Sequence, residues 1–134
     1  RQNQVIISLV IQGAPGTSQG AQSALTFCRA ALAAGHRIYR VFFYEDGVHN
    51  ANALSVWPQD EHDLNAAWAA MIREQKLDAV VCVASALKRG VLNVEEASRY
   101  EKTGASVDPA FDISGLGQWV DACLNSDRVV SFGV

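Results

Sequence analysis

The 134 residues are 49% hydrophobic and 19% charged, a composition that suits one compact core and excludes a disordered or fibrous chain. Eleven Lys and Arg against fourteen Asp and Glu give a net charge of −3, which argues against direct nucleic-acid binding and against an anionic membrane surface. No apolar stretch approaches the roughly 18 residues of a membrane span, and the first apolar run lacks a cleavage pattern after it. We therefore expect one domain over residues 1–134, without a secretory signal.

In the first half of the chain, apolar runs alternate with helical patterns, as in βαβ units that build a parallel sheet. A strand is predicted over residues 5–11, and a glycine-rich loop leads from it into a helix that ends at Gly35. A second strand, 38–44, precedes a long polar connection, 45–59. Connections of this length are more often functional than idle, although a disordered loop is the alternative. The next helix has its apolar stripe over residues 64–72.

The second half continues the alternation. Residues 79–83 are apolar throughout, as expected of a central parallel strand. The remaining predicted segments are a helical turn at 86–89, a helix at 93–101, an irregular segment at 102–113, a helix at 116–124 and a strand at 129–132. The pattern predicts an α/β protein, a three-layer α/β/α sandwich of flavodoxin-like type with a mainly parallel sheet. It leaves the strand order open.

The three cysteines are too few and too scattered for a disulfide framework, which favours a reducing, cytoplasmic setting. Cys28 lies on the apolar stripe of the first helix and Cys123 on that of the last. Free cysteine is among the most buried residue types, so we expect both thiols to pack in the core.

Cys82 occupies a different kind of position, the carboxyl end of a predicted central strand, where open α/β sheets bind their ligands. The helix that follows would present backbone N–H groups and a positive dipole, which favour a thiolate. Ser85, Lys88 and Arg89 are candidates for electrostatic support. The alternative is an inert, buried cysteine in an apolar strand, and position alone does not decide between the two.

Other polar residues near these strand ends are weaker candidates. Tyr44, Asn50 and Asn52 flank the end of the second strand, where they would line a pocket, form a subunit contact, or only pack and make turns. His49 is kept as a neighbour of the thiol, with a solvated loop residue as the alternative, and Trp57 as an interface or internally buried aromatic.

Two further kinds of site are not supported by the sequence. The loop over residues 13–20 lacks the Gly-Lys-Ser/Thr ending of a phosphate loop and the Gly-x-Gly-x-x-Gly spacing, which argues against a flavodoxin-like nucleotide binder. The three histidines have no Cys or His at metal-ligand spacing. We therefore expect neither a nucleotide nor a metal site.

Short motifs spread over nearly the whole chain match one family in order. They are Val41-Phe42-Phe43-Tyr44 with Asp46-Gly47-Val48 and Asn50-Ala51-Asn52, Val81-Cys82-Val83-Ala84, Ala86-Leu87-Lys88-Arg89-Gly90-Val91, Ile113-Ser114-Gly115-Leu116-Gly117-Gln118 and Asp127-Arg128-Val129-Val130. With these motifs the chain resembles the DsrE/TusD sulfur-carrier proteins of bacterial sulfur-relay systems. One departure is Ser126, where relatives can carry a second cysteine.

The resemblance implies that Cys82 is the catalytic residue of a sulfurtransferase. It would accept sulfane sulfur from an upstream donor protein as a persulfide and pass it to a cysteine of a small acceptor protein, with no metal or organic cofactor. It also implies a heterohexamer with two copies of each of three related DsrE-fold subunits. The expected pathway is 2-thiolation of the tRNA wobble uridine, as in the TusD branch. The alternatives are dissimilatory sulfur oxidation, as in the DsrE branch, and a non-catalytic scaffold subunit.

Overall fold

A five-stranded, fully parallel sheet forms the centre of the computed structural model, which describes residues 3–134. The strands are β1 (Ile6–Ile11), β2 (Arg37–Phe43), β3 (Ala79–Cys82), β4 (Asp112–Ser114) and β5 (Arg128–Phe132), and they lie in the order β4-β3-β2-β1-β5. The helices are α1 (Gly20–Ala33), α2 (Leu64–Gln75), α3 (Val83–Lys88), α4 (Val94–Arg99) and α5 (Gly117–Asn125). The predicted α/β/α sandwich with a parallel sheet is confirmed.

The two faces of the sheet are covered unequally. On one face, strand residues such as Leu9, Phe43 and Val81 belong to the large core that includes the buried side chains of α1 and α2; we call it the α1/α2 face. On the other face a smaller apolar group contacts Trp119 of α5; we call it the α5 face. The strand order explains the difference. The connections from β1 to β4 advance in one direction, whereas the connection from β4 to β5 returns across the sheet. Because crossovers between parallel strands are right-handed, the returning connection, which contains α5, lies on the opposite side of the sheet.

Helix α5 does not bury most of its apolar stripe against the sheet. Ala122 is buried, whereas Cys123 is exposed, as are Leu116, Val120 and Leu124. The prediction that Cys123 packs in the core is therefore wrong. Periodicity identifies an apolar stripe on a helix, but it does not say whether the chain's own core or another surface covers that stripe.

Three local predictions differ from the structure. A 3₁₀ segment, Glu45–Ala51, occupies the first part of the predicted polar connection. Helix α3 begins at Val83, earlier than the predicted turn, so β3 ends at Cys82. Strand β4 lies at the end of the segment predicted to be irregular; it has three residues, and its pairing with β3 rather than a local sequence pattern defines it. None of the helices in residues 3–134 combines the length and apolarity needed to cross a membrane.

The 3₁₀ segment is held against the end of β1 by a close backbone approach at Gly47. A Cβ atom at this buried position would collide with the carbonyl oxygen of Ile11 and lie 2.8 Å from its carbonyl carbon. Both atoms are backbone and cannot rotate away. Only glycine therefore lets this segment lie against the carboxyl end of β1.

We predict that Gly47→Ala lowers the free energy of unfolding by about 1–3 kcal/mol, the usual cost of overpacking. Urea unfolding followed by circular dichroism measures the change. Gly104→Ala is the matched control, because an added Cβ there meets no atom within 4 Å. Equal stability of the two variants would show that the close approach at Gly47 is not a constraint.

Candidate functional site

Cys82 lies where the sequence places it, at the carboxyl end of β3. It pairs in register with Ser114 of β4 and is the N-cap residue of α3, with an extended backbone (φ −62°, ψ 122°). After Cys82 the chain enters α3, whose Ala86 packs on the α1/α2 face, whereas after β4 it enters α5 on the other face. Neighbouring strands whose connections leave on opposite sides form the kind of crevice in which α/β proteins bind ligands.

The Cys82 side chain points to the α5 face and is 1% exposed. It packs in an apolar group with Val10, Phe42 and Val80. Two partly buried aromatic residues, Tyr44 and Trp119, close this group, and the Phe42 ring lies 6.2 Å from Tyr44 and 5.8 Å from Trp119. The thiol is thus at a strand end, as predicted, and is also buried, as expected for the alternative of an inert cysteine.

Two of the three residues proposed for electrostatic support have partners elsewhere. The Ser85 hydroxyl accepts a hydrogen bond from the Glu45 backbone N–H at 3.1 Å and so joins α3 to the end of β2. Arg89 donates to Asp46 Oδ1 at 2.8 Å and to the Ser85 carbonyl oxygen at 3.2 Å. Lys88 is exposed at the end of α3. Ser85 and Arg89 therefore fasten α3 to the 3₁₀ segment.

Of the candidate residues after β2, Tyr44 is the one that the structure brings to the group around Cys82. Asn50 is fully buried and donates to the carbonyl oxygens of Gly13 and Gly47 at 3.1 and 2.9 Å, which ties the loop after β1 to the 3₁₀ segment. Asn52 caps a turn through a 2.8 Å bond from the Leu54 N–H.

His49 and Trp57 both meet Asn65 of α2. The Trp57 indole N–H donates to Asn65 Oδ1 at 3.0 Å, and the Asn65 amide donates to the His49 carbonyl oxygen at 2.8 Å. Trp57 is partly buried against the core of its own chain. The structure thus gives His49 and Trp57 a role in attaching the loop to α2.

A polar cluster that no sequence pattern predicted joins α5 to β2. A register shift between β1 and β2 pairs Ile7 with Ile38 and Ser8 with Arg40, so Tyr39 is an extra residue in β2. The Tyr39 hydroxyl donates to Asp121 Oδ2 at 2.7 Å, and Arg40 Nη1 donates to the same oxygen at 2.8 Å. A bulge re-aims side chains, and here it lets two consecutive residues meet one carboxylate on α5.

The cluster changes the protonation of its members. The hydrogen bond from Tyr39, followed by that from Arg40, lowers the pKa of Asp121 below its ordinary value. The same bond to Asp121 raises the pKa of Tyr39. Arg40 is buried and also pairs with Asp78, at 2.7 Å, so its charge is held between two carboxylates. An arginine within an apolar strand is the sequence signal for such a cluster, because a buried guanidinium needs acidic partners.

The three thiols have three different environments. Cys28 is buried in α1, and this burial raises its pKa to about 12. Cys123 is exposed on α5, and Cys82 is covered at the end of β3. Ser126 shares a 2.7 Å hydrogen bond with Ser8 just before β5. Because all strands are parallel, Ser126 lies at the end of the sheet where the strands begin, and Cys82 lies at the end where they finish. In residues 3–134, no three His, Cys, Asp or Glu side chains are grouped so that they could hold a metal ion.

Comparison with known proteins supports the family suggested by the motifs. A family model described as the DsrE/DsrF-like family matches residues 6–132. The chain belongs to the DsrE/DsrF-like family. Among curated members, a protein named sulfurtransferase TusD homolog from Pseudomonas aeruginosa is 54% identical over 89% of this chain and 91% of its own length.

Two other relatives extend this comparison. A protein named putative sulfurtransferase DsrE from Allochromatium vinosum is 46% identical over 94% of this chain and 97% of its own length. The crystal structure of the ychN protein from E. coli superposes with a TM-score of 0.75 at 19% identity, covering 96% of this chain and 99% of that one. The structural match supports the fold, and the sequence matches support membership of the family.

Proposed function

We propose that this protein, a sulfurtransferase of the DsrE/DsrF-like family, carries sulfane sulfur as a persulfide on Cys82 within a cytoplasmic sulfur relay. The observation that carries the proposal is the position of Cys82 at the carboxyl end of β3, between connections that leave on opposite faces. Cys28 is buried with a raised pKa, and Cys123 lies on the outer surface of α5. Both are therefore less suited to accept sulfur in a crevice.

The reaction consists of two thiol exchanges. The Cys82 thiolate attacks the outer sulfur of a persulfide on an upstream donor protein; a new sulfur–sulfur bond forms, and the donor cysteine leaves as a thiolate. A cysteine thiolate of a small acceptor protein then attacks the outer sulfur on Cys82, and the Cys82 thiolate leaves. Each exchange conserves atoms and electrons, so the proposed reaction uses no metal or organic cofactor.

The surroundings of Cys82 suit this chemistry in two respects. Cys82 is the N-cap residue of α3, and its side chain makes no capping hydrogen bond, so no bond to the helix has to break when the sulfur reacts. The apolar group around the thiol excludes water and other thiols from a bound persulfide. The chain itself would supply position and protection, and the partner proteins would supply the second cysteine of each exchange.

We predict that the protein, incubated with a persulfide donor, gains one sulfur atom on the peptide that contains Cys82. Cys82→Ser abolishes the gain and all transfer to an acceptor thiol, because no other described cysteine lies at a strand end. Intact-protein and peptide mass spectrometry measure the added mass. Cys123→Ser is the control and retains loading. Full loading of Cys82→Ser would contradict the proposal and assign the sulfur to another cysteine, whereas a wild-type protein that gains no sulfur would favour a non-catalytic scaffold subunit.

The pathway is proposed to be 2-thiolation of the tRNA wobble uridine. The support is the 54% identity to a TusD homolog, together with TusD proteins of Sodalis glossinidius and other bacteria at 42–45% identity. The chain itself would pass sulfur to a protein without direct contact with nucleic acid, in keeping with its net charge of −3. The 46% identity to a putative DsrE supports the second candidate, sulfur oxidation.

We predict that deletion of the gene in its own organism removes 2-thiouridine derivatives from tRNA. Liquid chromatography with mass spectrometry of tRNA nucleosides measures them. A plasmid copy of the wild-type gene restores the modification, and a Cys82→Ser copy does not. Unchanged tRNA together with a loss of sulfur oxidation would assign the protein to the second candidate.

We also propose that the chain assembles with two related DsrE-fold subunits into a heterohexamer. The support is the exposed apolar outer surface of the α5 region, where Leu116, Val120 and Leu124 are 52%, 56% and 80% exposed. Apolar side chains clustered in this way mark protein contacts. If the outer surface of α5 faced only solvent, polar side chains would be expected there instead.

We predict that a tagged chain isolated from its own cells carries two related subunits, with a mass that native mass spectrometry assigns to two copies of each. The double variant Val120→Glu with Leu124→Glu loses these subunits. Val56→Glu is the control, since Val56 is 93% exposed outside α5. A wild-type chain isolated without related subunits would contradict the proposed assembly.

A further inference from the structure

Helix α5 lies over the apolar group that contains Cys82, with few apolar contacts of its own. Among its side chains Ala122 is buried, and Trp119 is partly buried against the group that contains Cys82. The helix has nine residues, and its N-cap residue, Leu116, offers no side-chain hydrogen bond. Helices are normally held in place by burial of an apolar face, which α5 largely lacks on its inner side. Other interactions must therefore keep it on the sheet.

The polar cluster supplies these interactions. Asp121 receives hydrogen bonds from Tyr39 and Arg40 at 2.7 and 2.8 Å, and Arg40 also donates to the Gln118 carbonyl oxygen at 2.8 Å. Charge-assisted hydrogen bonds of this length are among the stronger polar interactions in proteins. Gln118 and Asp121 flank Trp119 in sequence, so the cluster fixes the part of α5 that packs against the group containing Cys82.

The segment that leads into α5 carries two glycines that the observed conformation does not require. Gly115 and Gly117 have no positive φ, and an added Cβ would meet no atom within 4 Å at either position. Neither a left-handed backbone nor a close approach explains them. Glycines remain valuable where the chain must change its backbone angles, as at a hinge.

We propose that α5 is a hinged cover over Cys82, and that Asp121 is the positioning residue that holds it closed through Tyr39 and Arg40. The inference concerns the site of the proposed function and rests on it, because the thiol is 1% exposed when α5 is closed. A donor cysteine must approach the sulfur directly for exchange. Rotation at Gly115 and Gly117 lifts Trp119 from the apolar group around the thiol and opens this path, and reclosure shields the persulfide from water.

The test measures how fast a small disulfide reagent, methyl methanethiosulfonate, modifies Cys82 in the folded protein. It uses a Cys123→Ser background, in which the exposed thiol is absent, and peptide mass spectrometry separates Cys82 from Cys28. We expect Cys82 to be modified about tenfold faster in Asp121→Asn, because the substitution removes the negative charge that strengthens the bonds from Tyr39 and Arg40. Cys28, which is buried in α1, should stay unmodified and so report that the fold is intact.

Two further variants separate a cover from a general stabilising role. Arg73→Gln breaks the ion pair with Asp108, which lies away from α5, and should leave the Cys82 rate unchanged. Gly115→Ala with Gly117→Ala should slow modification several-fold while the melting temperature stays the same or rises, because alanine stiffens the hinge. If α5 only stabilised the fold, slower modification of Cys82 would not occur at an unchanged melting temperature.

Two results would overturn the cover. One is an unchanged Cys82 rate in Asp121→Asn; the other is a rise matched by Cys28, which would mean global unfolding. Because modification requires no sulfur donor, these results are independent of persulfide loading. A cover that behaves as expected with a protein that fails to load sulfur would refute the proposed function and leave the cover in place.

Discussion

The buried guanidinium of Arg40 is the interaction on which the arrangement of the site depends. A charge at this depth is tolerated only when it is paired, and Arg40 finds Asp78 just before β3 and Asp121 on α5. One side chain on β2 therefore connects the neighbouring strand and the helix of the second face. The bulge at Tyr39 makes this possible, since it turns Tyr39 and Arg40 toward the same carboxylate.

The large core and the candidate reactive thiol lie on different faces of the sheet. The α1/α2 face contains the large core with Trp68, Phe43 and Leu9. The α5 face carries the smaller group with Cys82 beneath a single short helix. In the proposed relay the thiol would benefit from this division, because movement of the layer above it would leave the larger core in place.

Local patterns predicted the parts of the molecule that local physics determines. The apolar run of β3 identified a central strand and placed Cys82 at its end, and the stripes of α1 and α2 identified their buried sides. The outer surface of α5 was misassigned because its stripe has the same period as a core stripe, and only the tertiary structure shows that Cys123 is exposed. The partners of Ser85 and Arg89, and the cluster around Asp121, depend on contacts between residues about 40 to 80 positions apart, which no local pattern encodes.

The two proposals for α5 place opposite demands on one helix. Its outer surface would offer Val120 and Leu124 to a neighbouring subunit, and its inner surface packs Trp119 against the group that contains Cys82. A subunit bound to the outer surface must favour either the closed or the open position of α5, unless it contacts both equally. By linkage, a partner that favours the open position binds more tightly when the hydrogen bonds of Asp121 are broken. Subunit binding and access to Cys82 then both depend on the position of α5. The effect of Asp121→Asn on subunit affinity shows whether the bound subunit favours the open or the closed position.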